Sequence, residues 1–462
     1  MNSFASEVPR PEAENLYPSQ RPITLSAGTE PSATAAYQTI PSWYVLGTRN
    51  RIITPAAQLS MATRAHSRIT RIEAGHLGLI TESAAVTKVI EQAARATRRG
   101  HTRSAGRSVP ADRDPGCSVL GVRAIEYSVT GDPDVLTLVD RPMPEPGPGE
   151  VRVRIYRSGV NPTDWKTRRG SAPGTRVDPP QVPNQDGSGV IDAVGQGVDA
   201  ALVGRRVWIW EAAHQRPSGG TAQEYTVVPV RHVVPLADGA SYDLGAALGV
   251  PFLTAHRCLT VTEDGPERLG PGKLAGRTVL VAGGAGAVGN AAIQLARWSD
   301  ATVITTVSSP EKGNLAALAG ADHVINYKQE DVVKEVRAIA PQGVNIIVEV
   351  SPAMNASIDH EVIAMHGAVA VYATDGGNAM EVPVRPLMVP NARWQFVLLY
   401  TAPDSWRPRG LDDVAAAVES GAVRVGPEAG LPLHHYPLER AAEAHAAAEQ
   451  GAVGKVLIDV AD

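Results

Sequence analysis

Apolar and polar positions along this chain follow two different periods, and the change falls near Tyr242. Before it, Arg123 to Tyr127, Val135 to Asp140, Glu150 to Ser158, Gly187 to Val194, Arg205 to Trp210 and Glu224 to Pro229 read as short strands punctuated by Gly and Pro. In Glu150 to Ser158 (EVRVRIYRS) charged and apolar residues alternate, as a half-buried strand requires. Many short strands at this spacing predict a barrel-like β domain. Beyond Tyr242, Leu244 to Leu259 predicts a helix interrupted by Pro251. From Thr278 onward strands (Thr278 to Ala282, Ala301 to Val307, Val324 to Asn326, Asn345 to Val350, Ala368 to Tyr372) alternate with helices (Asn290 to Trp298, Glu311 to Ala319, Asp331 to Ile339). That alternation predicts βαβ units and a doubly wound parallel sheet with a ligand crevice at the carboxyl ends of its strands. Arg393 to Thr401 predicts an edge strand of that sheet, followed by helices at Leu411 to Ser420 and Leu438 to Gln450 and a closing strand at Lys455 to Val460. The fold class is α/β.

Residues 1–121 differ from the rest. Pro, Ser, Thr and Ala dominate their start, and only Glu82 to Arg99 forms an amphipathic helical pattern, with Val86, Val89, Ile90 and Ala93 along one side. Basic residues cluster at Arg98, Arg99, Arg103 and Arg107. Three readings stand: a disordered low-complexity extension, a basic arm that touches nucleic acid or a partner, and a stretch upstream of the true start. The first is the expectation.

Totals narrow the function classes. The 462 residues leave room for two or three domains, and a net charge of -5 gives no electrostatic case for nucleic acid or membrane binding. Only Cys117 and Cys258 are present, so a disulfide framework and a four-cysteine zinc lobe are excluded within one chain. No apolar run reaches the length of a membrane span, and the N-terminus has no secretory pattern. A cytoplasmic protein is the expectation.

The chemistry centres on TVLVAGGAGAVG, Thr278 to Gly289. An apolar strand, a glycine turn (Gly283, Gly284, Gly286, Ala287, Val288, Gly289) and a helix occur in the order that a dinucleotide pyrophosphate needs. The next strand ends in Ser308 and Ser309, with Glu311 and Lys312 beyond. Hydroxyls and an ammonium suit a 2′-phosphate, hence NADPH, while the rival reading gives Glu311 to the ribose of NAD. A Tyr-x-x-x-Lys pair after the loop, which a short-chain dehydrogenase needs, is absent.

A β domain ahead of a mid-chain dinucleotide fold resembles the medium-chain dehydrogenase/reductase superfamily, and within it the zinc-free NADPH:quinone reductases of the zeta-crystallin group. The resemblance covers about Val122 to Val460 and rests on GVNPTD (Gly159 to Asp164), Gln185-Asp186-x-x-Gly189-x5-Gly195-x-x-Val198, GVPFLTAHRCL (Gly249 to Leu259), the glycine loop with Gln294 and Arg297, and GKVLI (Gly454 to Ile458). Ala287 departs from the family, where many members carry a second glycine. The resemblance implies a GroES-like β-barrel catalytic domain over 122–248, a Rossmann NADP-binding domain over 249–390, and a return to the catalytic domain over 391–462. It implies Asn161, Asp164 and Thr254 near the nicotinamide, Lys312 and Tyr327 on the 2′-phosphate, and a homodimer that pairs the Arg393 to Thr401 strands.

Zinc-dependent relatives carry Cys where this chain has Asn161 and His where it has Gln185, so no metal site is expected. Metal-free hydride transfer favours an already electron-poor acceptor, a quinone or conjugated enone. Asn161 either polarises a carbonyl, orients the cofactor amide or stabilises the loop before Pro162. Asp164 either serves the site or caps the turn that follows. His256 either donates a proton or packs in the core, and Trp165, Trp208 and Trp210 either line an aromatic pocket or belong to the core. A non-catalytic NADPH-binding sensor would keep the same glycine loop.

Overall fold

The computed structural model describes residues 43–50, 53–64, 67–74, 81–90, 92 and 121–461. The chain divides into two compact units, Met1–Asp114 and Pro115–Asp462.

In the first unit, β1 (Trp43–Gly47) and β2 (Arg68–Ile72) pair in parallel, with α1 (Pro55–Arg64) between them. The side chain of Gln58 ties α1 to the end of β1: its Oε1 accepts from Gly47 N at 3.2 Å, and its Nε2 donates to Gly47 O at 3.2 Å and to Ile53 O at 2.6 Å. Ile72, Ala74 and Val86 form a small core, and residues 81–90 are largely helical. Two paired strands of five residues each are too short to give a period that a sequence pattern detects. Arg98, Arg99, Arg103, Arg107 and Cys117 lie outside the described residues.

The second unit opens with β3 (Gly121–Val129), β4 (Thr137–Pro142), β5 (Glu150–Val160), α2 (Pro162–Arg169), β6 (Arg176–Gln181), β7 (Asp186–Val194), β8 (Arg206–Ile209), β9 (Tyr225–Pro229) and β10 (Val233–Pro235). The long helix α3 (Tyr242–Leu259) leads into β11 (Thr278–Ala282), α4 (Ala287–Trp298), β12 (Thr302–Val307), α5 (Pro310–Leu318), β13 (His323–Asn326), α6 (Val332–Ile339), β14 (Val344–Glu349), α7 (Pro352–Val362) and β15 (Ile363–Val371). Then come α8 (Val384–Met388), β16 (Arg393–Phe396), α9 (Arg407–Glu419), β17 (Leu433–Pro437), α10 (Ala441–Glu449) and β18 (Lys455–Asp459).

Two sheets organise these elements. A six-stranded parallel sheet has the order β13-β12-β11-β14-β15-β16. A mostly antiparallel sheet runs β10-β8-β7-β5-β18-β17 with β9 on β5, beside a smaller β4-β3-β6 sheet. The return to the barrel is made by β17 and β18, whereas β16, expected as an edge strand, is the edge of the parallel sheet. It ends at Phe396, and Leu399–Thr401 turn into a 3₁₀ helix.

Burial explains the two periods. In β5, Val151, Val153 and Ile155 are fully buried inside the barrel while the intervening arginines point away. In β11, Val279 and Val281 pack on α3 and α4, and Leu280 packs on the opposite face against Ile304, Val336 and Ile347. A strand covered on both faces has no polar side, hence its continuous apolar run. Helix α3 runs through Pro251 without ending. The N–H of Val250, one residue earlier, donates to both carboxylate oxygens of Asp186 at 3.0 and 2.9 Å, so a buried acid attaches to the helix where proline disturbs its ladder.

Candidate active site

The glycine loop joins β11 to α4, and its glycines do different work. Gly283 has φ +72, a left-handed conformation that favours glycine. A Cβ on Gly284 would meet Thr305 Oγ1 at 2.1 Å, and one on Gly289 would meet Gly283 O at 2.3 Å, so both are needed for close packing. A Cβ on Gly286 would find only Gly283 O at 3.4 Å, an ordinary contact. Protein packing does not require glycine there; close approach of a pyrophosphate does. Gly286 is the N-cap of α4, which starts at Ala287 and Val288, three residues earlier than its apolar pattern predicts. The first N–H groups of a helix have no partner within it, so this end offers donors and a positive dipole to an anion.

Ser308 follows β12, and Ser309 caps α5, its Oγ accepting from Lys312 N at 3.4 Å. The Ser309 hydroxyl also bonds the exposed Glu311 carboxylate and holds it below the usual range. Tyr327 follows β13, its N–H bonding Val307 O at 3.1 Å and its ring half exposed. Ser308, Ser309, Lys312 and Tyr327 thus sit together where β12 and β13 end. Lys312 has no carboxylate partner among the described residues, and its ammonium is free for an anion.

Facing the sheet, the barrel presents a buried polar cluster. Asn161 caps α2 in a capping box with Asp164. One carboxylate oxygen of Asp164 accepts from Asn161 N at 2.7 Å and the other from Gln185 N at 3.1 Å. The Asn161 amide is engaged at both ends: Nδ2 donates to Asp186 Oδ2 at 2.8 Å, and Oδ1 accepts from Lys455 Nζ at 2.6 Å. Lys455 lies 3.7 Å from Asp186, and both are buried. Burial, then the neighbouring Asp186 charge, raises Asp164 to about 7. Burial raises Asp186 as well, against the opposing pull of Lys455, and burial lowers Lys455.

Asn161 thus links Asp186 to Lys455 while holding the loop before Pro162. Asp164, the third residue of α2, completes that cap by accepting from the Asn161 backbone. Thr254 lies one turn beyond Val250 on α3, on the side of the helix that carries the Asp186 contact. The donor set also fails to fit zinc. Asn161 and Gln185 are neutral amides already engaged, Gln185 Oε1 accepting from Ala213 N at 3.1 Å, and the one acid between them faces an ammonium. No group of three or more His, Cys, Asp or Glu side chains suited to a metal occurs among the described residues.

His256 packs. Its Nδ1 accepts from Trp406 Nε1 at 3.0 Å and its Nε2 bonds Asp413 at 2.8 Å, joining α3 to α9 in the interior. Burial lowers the imidazole. Trp208 and Trp210 belong to the core; Trp165 lies on α2 beneath the Lys166 ammonium.

Three residues escape the sequence reading. Lys455, within GKVLI, is the cation of the cluster; a lysine in an otherwise apolar strand was the available signal. Tyr400, in the turn after β16, places its hydroxyl 3.3 Å from Thr163 Oγ1. His214, after β8, stacks flat on the Tyr400 ring, with centroids 4.5 Å apart and planes 8° from parallel. Neither of the latter two had a sequence signal.

Comparison with known proteins gives matching descriptions for both halves. Residues 147–238 match the alcohol dehydrogenase GroES-like domain family and residues 287–416 the zinc-binding dehydrogenase family. The chain is 31% identical over 341 residues to the quinone oxidoreductase of Lama guanicoe, covering 73% of this chain and 97% of that protein. Among solved structures, a mycobacterial quinone oxidoreductase superposes with TM-score 0.62 at 29% identity, over 73% of this chain and 99% of its own. An NAD-dependent alcohol dehydrogenase superposes equally well, with TM-score 0.62 at 30% identity over 73% of this chain and 100% of its own.

Proposed function

Because the chain belongs to the medium-chain dehydrogenase/reductase family, in its quinone reductase-like branch, we propose that this oxidoreductase transfers hydride from NADPH to a quinone or related conjugated carbonyl compound without a catalytic metal. The buried Asn161–Asp186–Lys455 cluster carries this reading. It fills with neutral amides and an ammonium the place where a metal-dependent relative needs anionic or imidazole ligands. Without a Lewis acid, the acceptor itself must be able to take up negative charge, which a quinone or enone does by delocalisation.

Bound NADPH supplies the hydride from its nicotinamide. The chain's residues hold it: the Gly283 to Gly289 loop at the pyrophosphate, and Ser308, Lys312 and Tyr327 at the 2′-phosphate. Choice of NADPH over NADH rests on Lys312, whose ammonium has no carboxylate partner among the described residues, at the strand end where an acid would select NAD. A mycobacterial relative, 28% identical with TM-score 0.60, was solved in complex with NADPH, which supports the choice. The protein works as a cytoplasmic homodimer through the outer edge of β16, beside the exposed apolar Val384, Met388, Phe396 and Leu398. No helix among the described residues is long and apolar enough to cross a membrane.

The test is NADPH oxidation across small quinones, enones and aldehydes, with NADH as control and with and without a zinc chelator. Acceptor-dependent oxidation of NADPH, faster than of NADH and indifferent to chelation, is expected. Tight NADPH binding with no acceptor-dependent turnover would make the protein a sensor and refute the enzyme reading. Activity confined to enones would select the alkene reductase alternative.

A further inference from the structure

Tyr400 is held from three sides. Its ring lies flat on His214, its carbonyl accepts from Arg407 Nη2 at 3.1 Å, and its hydroxyl meets Thr163 Oγ1. It belongs to the turn that follows β16, at the carboxyl ends of the parallel strands, where ligands of such sheets bind. Thr163 is the second residue of α2, directly beside the Asn161 cap. The two hydroxyls therefore bridge the sheet's binding edge and the barrel's polar cluster.

At 3.3 Å the contact between them is long for O–H···O, whose usual distance is about 2.7–2.8 Å. Each hydroxyl is both donor and acceptor, so this loose pair keeps bonding capacity for a third oxygen. Both side chains are only partly buried. Burial first, then the Asp164 carboxylate, pushes the phenol well above its ordinary value, so Tyr400 stays a neutral donor across the working range. His214, lowered by burial and by Arg407, stays an uncharged stacking partner.

Building on the proposed activity, the geometry points to the Tyr400 hydroxyl as the hydrogen-bond donor to the acceptor's carbonyl oxygen, the atom on which negative charge develops as hydride adds. Thr163 receives the phenol in the resting state, and His214 fixes its plane. No proton need leave Tyr400; solvent protonates the reduced product. Such a donor counts most for acceptors that delocalise charge poorly, so its loss harms enone reduction more than reduction of a strongly electron-poor quinone.

Tyr400→Phe keeps the ring on His214 and removes only the hydroxyl. Its melting temperature and NADPH dissociation constant should equal those of wild type, while kcat falls by about 100-fold for a weakly activated acceptor and less for an electron-poor quinone. Equal kcat in variant and wild type, or an equal fractional loss across all acceptors, overturns the assignment and leaves Tyr400 as a bolt between the two halves. A wild type with no acceptor-dependent NADPH oxidation fails at the earlier step and overturns both the activity and this role.

Discussion

Replacing Lys455 by Met removes the only cation within 4 Å of the buried Asp186 carboxylate among the described residues and leaves Asn161 Oδ1 without its donor. Breaking a buried pair on one side costs about 3–5 kcal/mol, because an uncompensated charge stays in a poorly polarisable interior. The variant has an escape: Asp186 can take up a proton. Burial already raises its pKa, and loss of the ammonium raises it further. An acid whose folded pKa lies above its unfolded value of 3.8 contributes stability fully present below 3.8, which is lost as pH rises through the folded value. The destabilisation should therefore be small near pH 4 and grow toward pH 8, by up to about 1.4 kcal/mol per pH unit while the unfolded chain alone is ionised. Equilibrium urea unfolding of wild type, Lys455→Met, Asp186→Asn and the double variant across this range measures it. The double variant should recover most of the loss, since removing both charges of a buried pair is often near neutral. A pH-independent loss, or a double variant as unstable as the sum of its singles, refutes the electrostatic account of this cluster.

Gly286→Ala and Gly289→Ala should separate binding from packing. The first leaves the melting temperature unchanged and weakens NADPH at least about tenfold; the second loses about 1–3 kcal/mol of stability, because its Cβ meets Gly283 O at 2.3 Å. Thermal melts beside NADPH titrations distinguish them, and equal behaviour of the two contradicts the assignment. His445 is pushed down to about 3 by burial and by Arg168. The stability it contributes is present above its unfolded value of 6.5 and is lost as pH falls toward 3. His445→Gln, which keeps a donor for Asn184 Oδ1, should therefore flatten the acid limb of the stability curve between these values; an unchanged limb rejects this. Lys at both Phe396 and Leu398, which are 62% and 58% exposed, should convert a dimer to monomers by sedimentation. A wild type that sediments as a monomer disposes of the edge-strand dimer.

The parallel sheet was legible from sequence because β11 and its neighbours are buried on both faces and write that into uninterrupted apolar runs. The glycine loop was legible because backbone conformation and close approach restrict residue type at single positions. Other parts left no such mark. Strands β6 (RVDPPQ) and β17 (LHHYP) carry prolines and histidines in place of alternation, and their neighbours define them. Asn161 was found, but its role depends on Asp186 and Lys455, 25 and 294 positions away, and no local pattern encodes those contacts. His256 left two readings open until Trp406 and Asp413 were seen to occupy both ring nitrogens.

The placement of β18 sets an order of assembly. This strand inserts between β5 and β17 and pairs with β5, made some 300 residues earlier, setting Val456 opposite Val160. During synthesis the earlier strands emerge first, and the barrel stays open along β5 until the C-terminal segment arrives. Until then Asp164 and Asp186 lack their ammonium, and Asn161 Oδ1 lacks its donor. The parallel sheet can gather its own contacts beforehand, so a nascent chain should acquire the means to hold a dinucleotide before the means to use one. Pairing of β18 with β5, across some 300 residues, then completes the barrel and its buried cluster.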